Sequence, residues 1–565
     1  MKQTAGSWPA GEFVAHRGLI AFSATATMAE AALLCWLAPP GRFLAGQVTA
    51  LPPLAVFHDL RWLYGYERSW FGFALLLIAL IVTRSALNTA MARLAWPRGL
   101  PAPGLREIFR SAVTLTMAAC VLLSPAATLT LGAAILPFSW PFLASLPVLL
   151  LISLPLSHGG ILGSWWRTLP PPRALCWLLT DFVVLSLTAA AIGRLPVAVA
   201  VPVSGLAGVA NARAWLGLTA AVARRPALRP APPRPTLSVP LAPVAAVLSV
   251  AAVIGMTRFA FVVGRGPRQV AEAVAALQPG AAVSAGTPET DSAGPGTVPP
   301  GRYTRDPVLL IRGFGSACCA SARSLRPIAP GAFVQQFSYR GMTSGGQPLP
   351  HGSAASDLPL PQLGDRIAAQ VLRLHRETGR PVDIVAESEG TLGVDAMLAT
   401  RPGLPLGSVV MMSPIVAPGR VSYPHGTGAG LMPADELRAM VWFVGGLSPF
   451  GSSGAQTLIS SVNAVGARFA ATAARHHPLR WMLLVPLADA VTLPVCPLPP
   501  DVYVVPELHG DLLGTPAVER MVARFLTDGE VREPGRYKAT AEIVAAAAAA
   551  WRMPETTAPT PACGK

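Results

Sequence analysis

The sequence predicts two modules of unlike class, an α-helical transmembrane bundle of about seven spans followed by an α/β domain with a mostly parallel sheet. Three observations carry this. Hydrophobic residues make up 52% of the 565 and charged residues only 13%, against roughly 25% charged in ordinary soluble domains. Apolar runs near the ~20 residues that a bilayer helix needs recur up to about residue 264. Beyond residue 306 they give way to short apolar strands alternating with amphipathic helices, the pattern of a parallel sheet flanked by helices.

The expected spans lie near 18–38, 70–92, 111–133, 136–157, 174–193, 195–221 and 238–263. Up to Gly264 there are 19 basic residues and six acidic ones, and after it 25 against 23. A pI of 10.3 in a soluble fold would suggest nucleic acid. Here the arginines sit in short connections between apolar runs, which is a topology signal and argues against a nucleic-acid partner. Arg93, Arg98, Arg106 and Arg110 share one connection, Arg167 and Arg173 another, and Arg224, Arg225, Arg229 and Arg234 a third. With seven spans all three fall on the same, cytoplasmic side, and everything after Gly264 is extracytoplasmic. Arg258, Arg265 and Arg268 work against this orientation without reversing it. Glu30, Arg84, Asp181 and Arg213 fall within spans or at their ends, where a charge is either functional or else snorkels to the interface or forms a bundle-facing ion pair. Snorkelling or pairing is the expected reading, since long Arg side chains near helix ends reach the interface readily. Only three basic residues are lysines (Lys2, Lys538, Lys565), a bias found in high-GC bacterial genomes. The first span shows no cleavage site of a secretory signal and is expected to stay as an anchor.

Residues 265–305 are rich in Gly, Pro, Ser, Thr and Ala and read as a flexible linker. The α/β domain covers 306–527, with an insertion at about 415–479 that is longer than ordinary connections. The tail, 528–565, reads as a short helix over 539–551 and a disordered end. Of the seven cysteines, Cys35, Cys120 and Cys176 belong to the spans, whereas Cys318, Cys319, Cys496 and Cys563 are open to oxidation outside. Adjacent Cys318 and Cys319 are not expected to bond to each other. No metal-ligand spacing occurs, and His476 and His477 read as a solvated turn. No metal or organic cofactor is expected.

Chemistry enters with the α/β domain. The strand at 307–312 (PVLLIR) ends in Gly313-Phe314-Gly315-Ser316. A helix over 363–377 leads to the strand at 381–386 (PVDIVA), which breaks at Glu387-Ser388-Glu389-Gly390 before an apolar helix at 391–399. A strand, a sharp turn with Ser at its apex and a helix form a nucleophile elbow, whose positions two before and two after the Ser must be small. Ala386 and Gly390 satisfy that. After the strand at 480–487 comes Asp489, and after the last strand, 501–506, comes His509, ahead of a helix at 516–525. His351 and His425 are alternatives to His509, but both precede the acid. Asp501 and Asp511 are alternatives to Asp489, one opening a strand and the other following the histidine. Glu387 and Glu389 are expected to face solvent beside the site.

The order Ser388, Asp489, His509, with RGFGS, AESEG, ADAV and LHGD around it, resembles the α/β-hydrolase superfamily of lipases and esterases over residues 305 to about 527. The resemblance implies Ser388 as nucleophile, His509 as general base and acid, and Asp489 as the carboxylate orienting the imidazole. It also implies an oxyanion hole from the backbone N–H groups of Phe314 and Glu389. Arg312 stands where many members have His, and Ala386 where most have Gly. Insertions in this family form caps. The apolar one here, with Met440, Trp442 and Phe443, implies a lipid or other apolar acyl ester as substrate. Three activities remain open on the sequence: a membrane-anchored, extracytoplasmic ester hydrolase, an acyltransferase using the same triad, and a transporter or scaffold with a non-catalytic hydrolase-like domain. Neither the oligomeric state nor the role of the bundle is legible.

Overall fold

The computed structural model describes residues 16–37, 39–132, 172–193, 195–223, 305–319, 328–415, 431–446, 461, 479–487, 502–507, 509–510, 512–529, 531 and 537–551. In the first part, helix α1 (Arg17–Leu37) is followed by a 3-10 turn (Pro39–Leu44), α2 (Pro52–Tyr66), α3 (Trp70–Leu94), α4 (Leu105–Gly132), α5 (Pro172–Ile192) and α6 (Val197–Ala223). Among the described residues three helices, α1, α3 and α6, are long and apolar enough to cross a membrane. The expected count of about seven is therefore not reproduced. The predicted spans 111–133 and 174–193 fall on α4 and α5, while 136–157, 238–263 and the linker up to residue 304 lie outside the described residues.

Helix α2 was not expected. Its 15 residues carry His58, Asp59, Arg61 and Tyr64, too polar and too short to read as a span, yet His58, Arg61 and Tyr64 are buried. It is preceded by residues 45–51, a non-helical segment buried inside the bundle. Non-helical backbone at that depth persists only where other groups satisfy its N–H and C=O, and this is what the isolated charges do. The Glu30 carboxylate accepts from the Gly46 and Val48 N–H groups (2.7 and 3.2 Å). Asp181 accepts from the Leu51 N–H (2.8 Å). Arg84 donates to the Val48 carbonyl (2.6 Å) and forms a two-pronged pair with Asp59 (2.7 and 2.6 Å). Asn211 donates to the Gly46 carbonyl (2.6 Å) and the Trp215 indole to that of Thr49 (3.0 Å). Of the two expected readings, snorkelling or pairing, Arg84 takes the bundle-facing pair, and Arg213 lies over the Trp177 ring (5.0 Å). Arg84→Ala would strand both Asp59 and the Val48 carbonyl. It should cost about 3 kcal/mol or more, read as a lowered unfolding midpoint in detergent.

The second part is a six-stranded parallel sheet in the order β2-β1-β3-β4-β5-β6 among the described residues. Its elements are β1 (Val308–Ile311), β2 (Val334–Gln336), α7 (Leu360–Thr378), β3 (Val382–Glu387), α8 (Glu389–Thr400), β4 (Leu406–Met412), α9 (Leu431–Gly446), β5 (Arg480–Pro486), β6 (Val502–Val505), α10 (Pro516–Asp528) and α11 (Lys538–Ala548). Strand side chains alternate between faces, and both faces are covered. Leu309, Ile311, Ile384 and Ala386 pack with Leu363, Ile367, Val371 and Leu374 of α7 and with Leu392 and Met397 of α8. Val308, Leu310, Val410 and Leu484 pack with Val518, Val522 and Phe525 of α10. Burial on both sides explains why these strands read as continuous apolar runs. The short β2 was not legible in sequence.

The chain winds from β1 outward to β2, then returns to β3 on the other side of β1 and continues to β6. The carboxyl ends of β1 and β3 flank the point where the winding reverses, which is where open parallel sheets leave a crevice for ligands.

Candidate active site

Both segments singled out in the sequence end at that crevice. Ser388 follows β3 directly and precedes the first turn of α8. Its φ of 52° and ψ of −118° put an L-residue in a backbone region that costs about 1–3 kcal/mol. The turn is held by the Ser388 N–H donating to the Met412 carbonyl (2.9 Å) and by the Thr391 hydroxyl donating to the Ser388 carbonyl (2.6 Å).

Two glycines make room for it. A Cβ on Gly390 would lie 2.8 Å from Ile311 Cγ2 and 2.9 Å from the Ile311 carbonyl oxygen, and one on Gly313 would lie 2.9 Å from Ser388 Cβ. The first lets α8 start against β1, and the second lets the loop after β1 pass over the serine. In that loop Phe314 is exposed, and the Gly315 N–H donates to the Ser356 hydroxyl (2.9 Å).

His509, four residues beyond β6, reaches back across the ends of the strands. Its Nε2 is 2.8 Å from Ser388 Oγ, within the hydrogen-bond distance a base needs to take the hydroxyl proton. Sequence separation between the two is 121 residues. His351 occupies another place, with its ring edge-on to Tyr339 (5.5 Å between centroids) and its backbone bridged to Cys318. Asp489, its alternatives Asp501 and Asp511, His425 and the His476-His477 pair lie outside the described residues. So do the side chains of Met440, Trp442 and Phe443.

Two expectations are overturned. Glu387 and Glu389 do not face solvent: they are 3% and 1% exposed. Glu387 is the last residue of β3 and lies near His509 and Arg312, and Glu389, in the first turn of α8, lies beside Tyr339. Burial, which disfavours the charged form, raises both carboxyls, Glu389 well above its ordinary value. For Glu387 the rise is partly offset by His509 and Arg312 and by the Leu512 and Leu513 N–H groups facing it. The Tyr339 hydroxyl donates to the Arg312 carbonyl (2.6 Å), and its place beside Glu389 partly offsets the rise there. The second correction concerns Cys318 and Cys319, which form a disulfide with each other across a cis peptide, their Cα atoms 3.0 Å apart.

A raised carboxyl binds its proton more tightly folded than unfolded, so stability is lost as pH climbs from the unfolded value through the folded one. Glu389→Gln should remove part of that loss. The expected result is a variant whose unfolding midpoint falls less steeply than wild type between mildly acidic and alkaline pH.

Among the described residues no group of three or more His, Cys, Asp or Glu side chains could hold a metal ion. Compared with known proteins, the chain matches no family model, and no curated protein matches it.

Proposed function

We propose that the chain is a membrane-anchored serine hydrolase of the α/β-hydrolase type, cleaving carboxylic esters of apolar acyl groups. The observation that carries this is the 2.8 Å contact between His509 Nε2 and Ser388 Oγ, at a strained turn on the carboxyl edge of a parallel sheet. A solvated serine and histidine have no reason to meet across 121 residues at such a turn. A nucleophile and its base do.

In the proposed reaction Ser388 Oγ attacks the ester carbonyl as His509 takes its proton. The backbone N–H groups of Glu389 and Phe314 receive the developing negative charge, helped by the N-terminal end of α8. His509, now protonated and oriented by Asp489, gives its proton to the departing alcohol. Water, activated by the same histidine, then releases the acyl group from Ser388. No cofactor takes part. An acceptor alcohol in place of water would make the same site an acyltransferase. The arginine-bearing ends of the bundle helices support an extracytoplasmic position for the domain. The test is to quench turnover of a p-nitrophenyl ester with acid and search by mass spectrometry for the acyl group on the peptide containing Ser388. An adduct there supports the reading, and turnover without one counts against it.

A further inference from the structure

The α/β domain is not merely tethered to the bundle, for it contributes to the bundle's interior at two points. The first is α9, in the insertion between β4 and β5. Met432 is fully buried in a cluster with Phe57, Leu60 and Leu63 of α2 and Ala127 of α4. One turn on, the Glu436 carboxylate accepts from the Tyr64 hydroxyl (3.0 Å) and the Thr128 hydroxyl (2.5 Å), and Tyr64 also touches Ser124. The second point is the end of α11. Ala541 and Tyr537 pack on Val502 and Val504 of β6. Beyond α11, Trp551 stacks on Phe182 (4.6 Å), donates to the Ser186 hydroxyl (2.9 Å), and its neighbour Ala550 accepts from Gln47 (2.6 Å). The 11 residues of α11 span about 16 Å, so the β6 edge stands one short helix away from the bundle.

The insertion also touches the site end of the domain. Ser461 accepts from the Leu360 N–H (2.9 Å) at the start of α7. A helix joining parallel strands begins at their carboxyl end, the end that carries Ser388. One insertion thus rests on the bundle through α9 and on the site end of the sheet through Ser461. The contacts at Tyr64, Thr128 and Ser186 lie toward the end of the bundle away from Arg93, Arg106 and Arg173.

A tether for a domain acting on dissolved esters needs no directed bond of this kind. Glu436 is half-buried against the bundle, where placed donors make up for the water it loses, and two hydroxyls fix α9 to within hydrogen-bond tolerance. Building on the proposed hydrolase activity, we propose that the bundle serves as the delivery side of the enzyme. By clamping the insertion through Tyr64, Thr128 and Glu436 it holds the approach to Ser388 against the bilayer, and the ester it delivers is a membrane-resident lipid taken up from the adjoining leaflet.

The test uses the full chain in phosphatidylcholine nanodiscs with two substrates, a fluorogenic long-chain diacylglycerol in the disc and p-nitrophenyl butyrate in the buffer. The variants are Glu436→Gln and Tyr64→Phe, the latter keeping the ring against Phe73 (5.0 Å). Each should lower turnover of the embedded ester by about tenfold, leave the dissolved ester within about twofold, and add little when combined. Equal losses on both substrates would reduce the contact to a structural one and overturn the proposal, as would no loss on the embedded ester. A wild type that cleaves only the dissolved ester overturns delivery but leaves the hydrolase. One that cleaves neither overturns the hydrolase reading, and this proposal with it.

Discussion

Ser388→Ala should lower ester turnover by about 10⁴-fold or more, since loss of a nucleophile leaves only the residual catalysis of binding and oxyanion donors. The fold should survive, because the serine's structural ties are made by its backbone: its N–H bonds to Met412 and its carbonyl receives Thr391. Stability gives a second, opposite signal. At φ 52° a glycine carries no Cβ penalty, so Ser388→Gly should be inactive yet more stable than wild type, by about 1 kcal/mol or more. Inactivity with gained stability is the signature of a residue held strained for function. Inactivity with lost stability would assign Ser388 to the architecture instead. Circular dichroism melts and p-nitrophenyl ester assays on the same preparations separate the two.

His509→Ala should be nearly as damaging, because in the proposed reaction nucleophile and base act as a unit and removing either disables both. The diagnostic result lies in the pH profile. Wild-type kcat/KM should fall toward acid as the histidine loses its ability to accept the Ser388 proton, and the variant's residual rate should lack that fall. Combining Ser388→Ala with His509→Ala should then cost no more than either alone. His351→Ala, by contrast, removes a ring set edge-on to Tyr339 and should leave the pH profile unchanged.

The α/β half was largely legible in sequence because a parallel sheet buried on both faces writes its strands as unbroken apolar runs, and because the sharp turn at Ser388 needs a glycine at 390, close against Ile311. β2 escaped because three residues, two of them glutamine, form no apolar run. Glu387 and Glu389 were misjudged for a related reason: charge in the sequence suggests solvent, and only the packing of β3 and α8 against their neighbours shows otherwise. The bundle was legible only in part. Arg84, Asp181 and Glu30 stood out as anomalies, but the segment they satisfy, residues 45–51, has no periodicity and α2 too little hydropathy to announce itself. Nor could the sequence tell that Trp551, in what reads as a plain tail, stacks on Phe182 in the bundle. Such contacts join residues hundreds of positions apart and leave no local pattern.

The activated serine is tested most directly by treating membranes that carry the full chain with a fluorophosphonate probe, which reacts only with a serine made nucleophilic by its surroundings. Labelling of the wild type, lost in both Ser388→Ala and His509→Ala, is the expected result. A wild type that stays unlabelled where a control esterase reacts, or a Ser388→Ala variant labelled as strongly as the wild type, would contradict it.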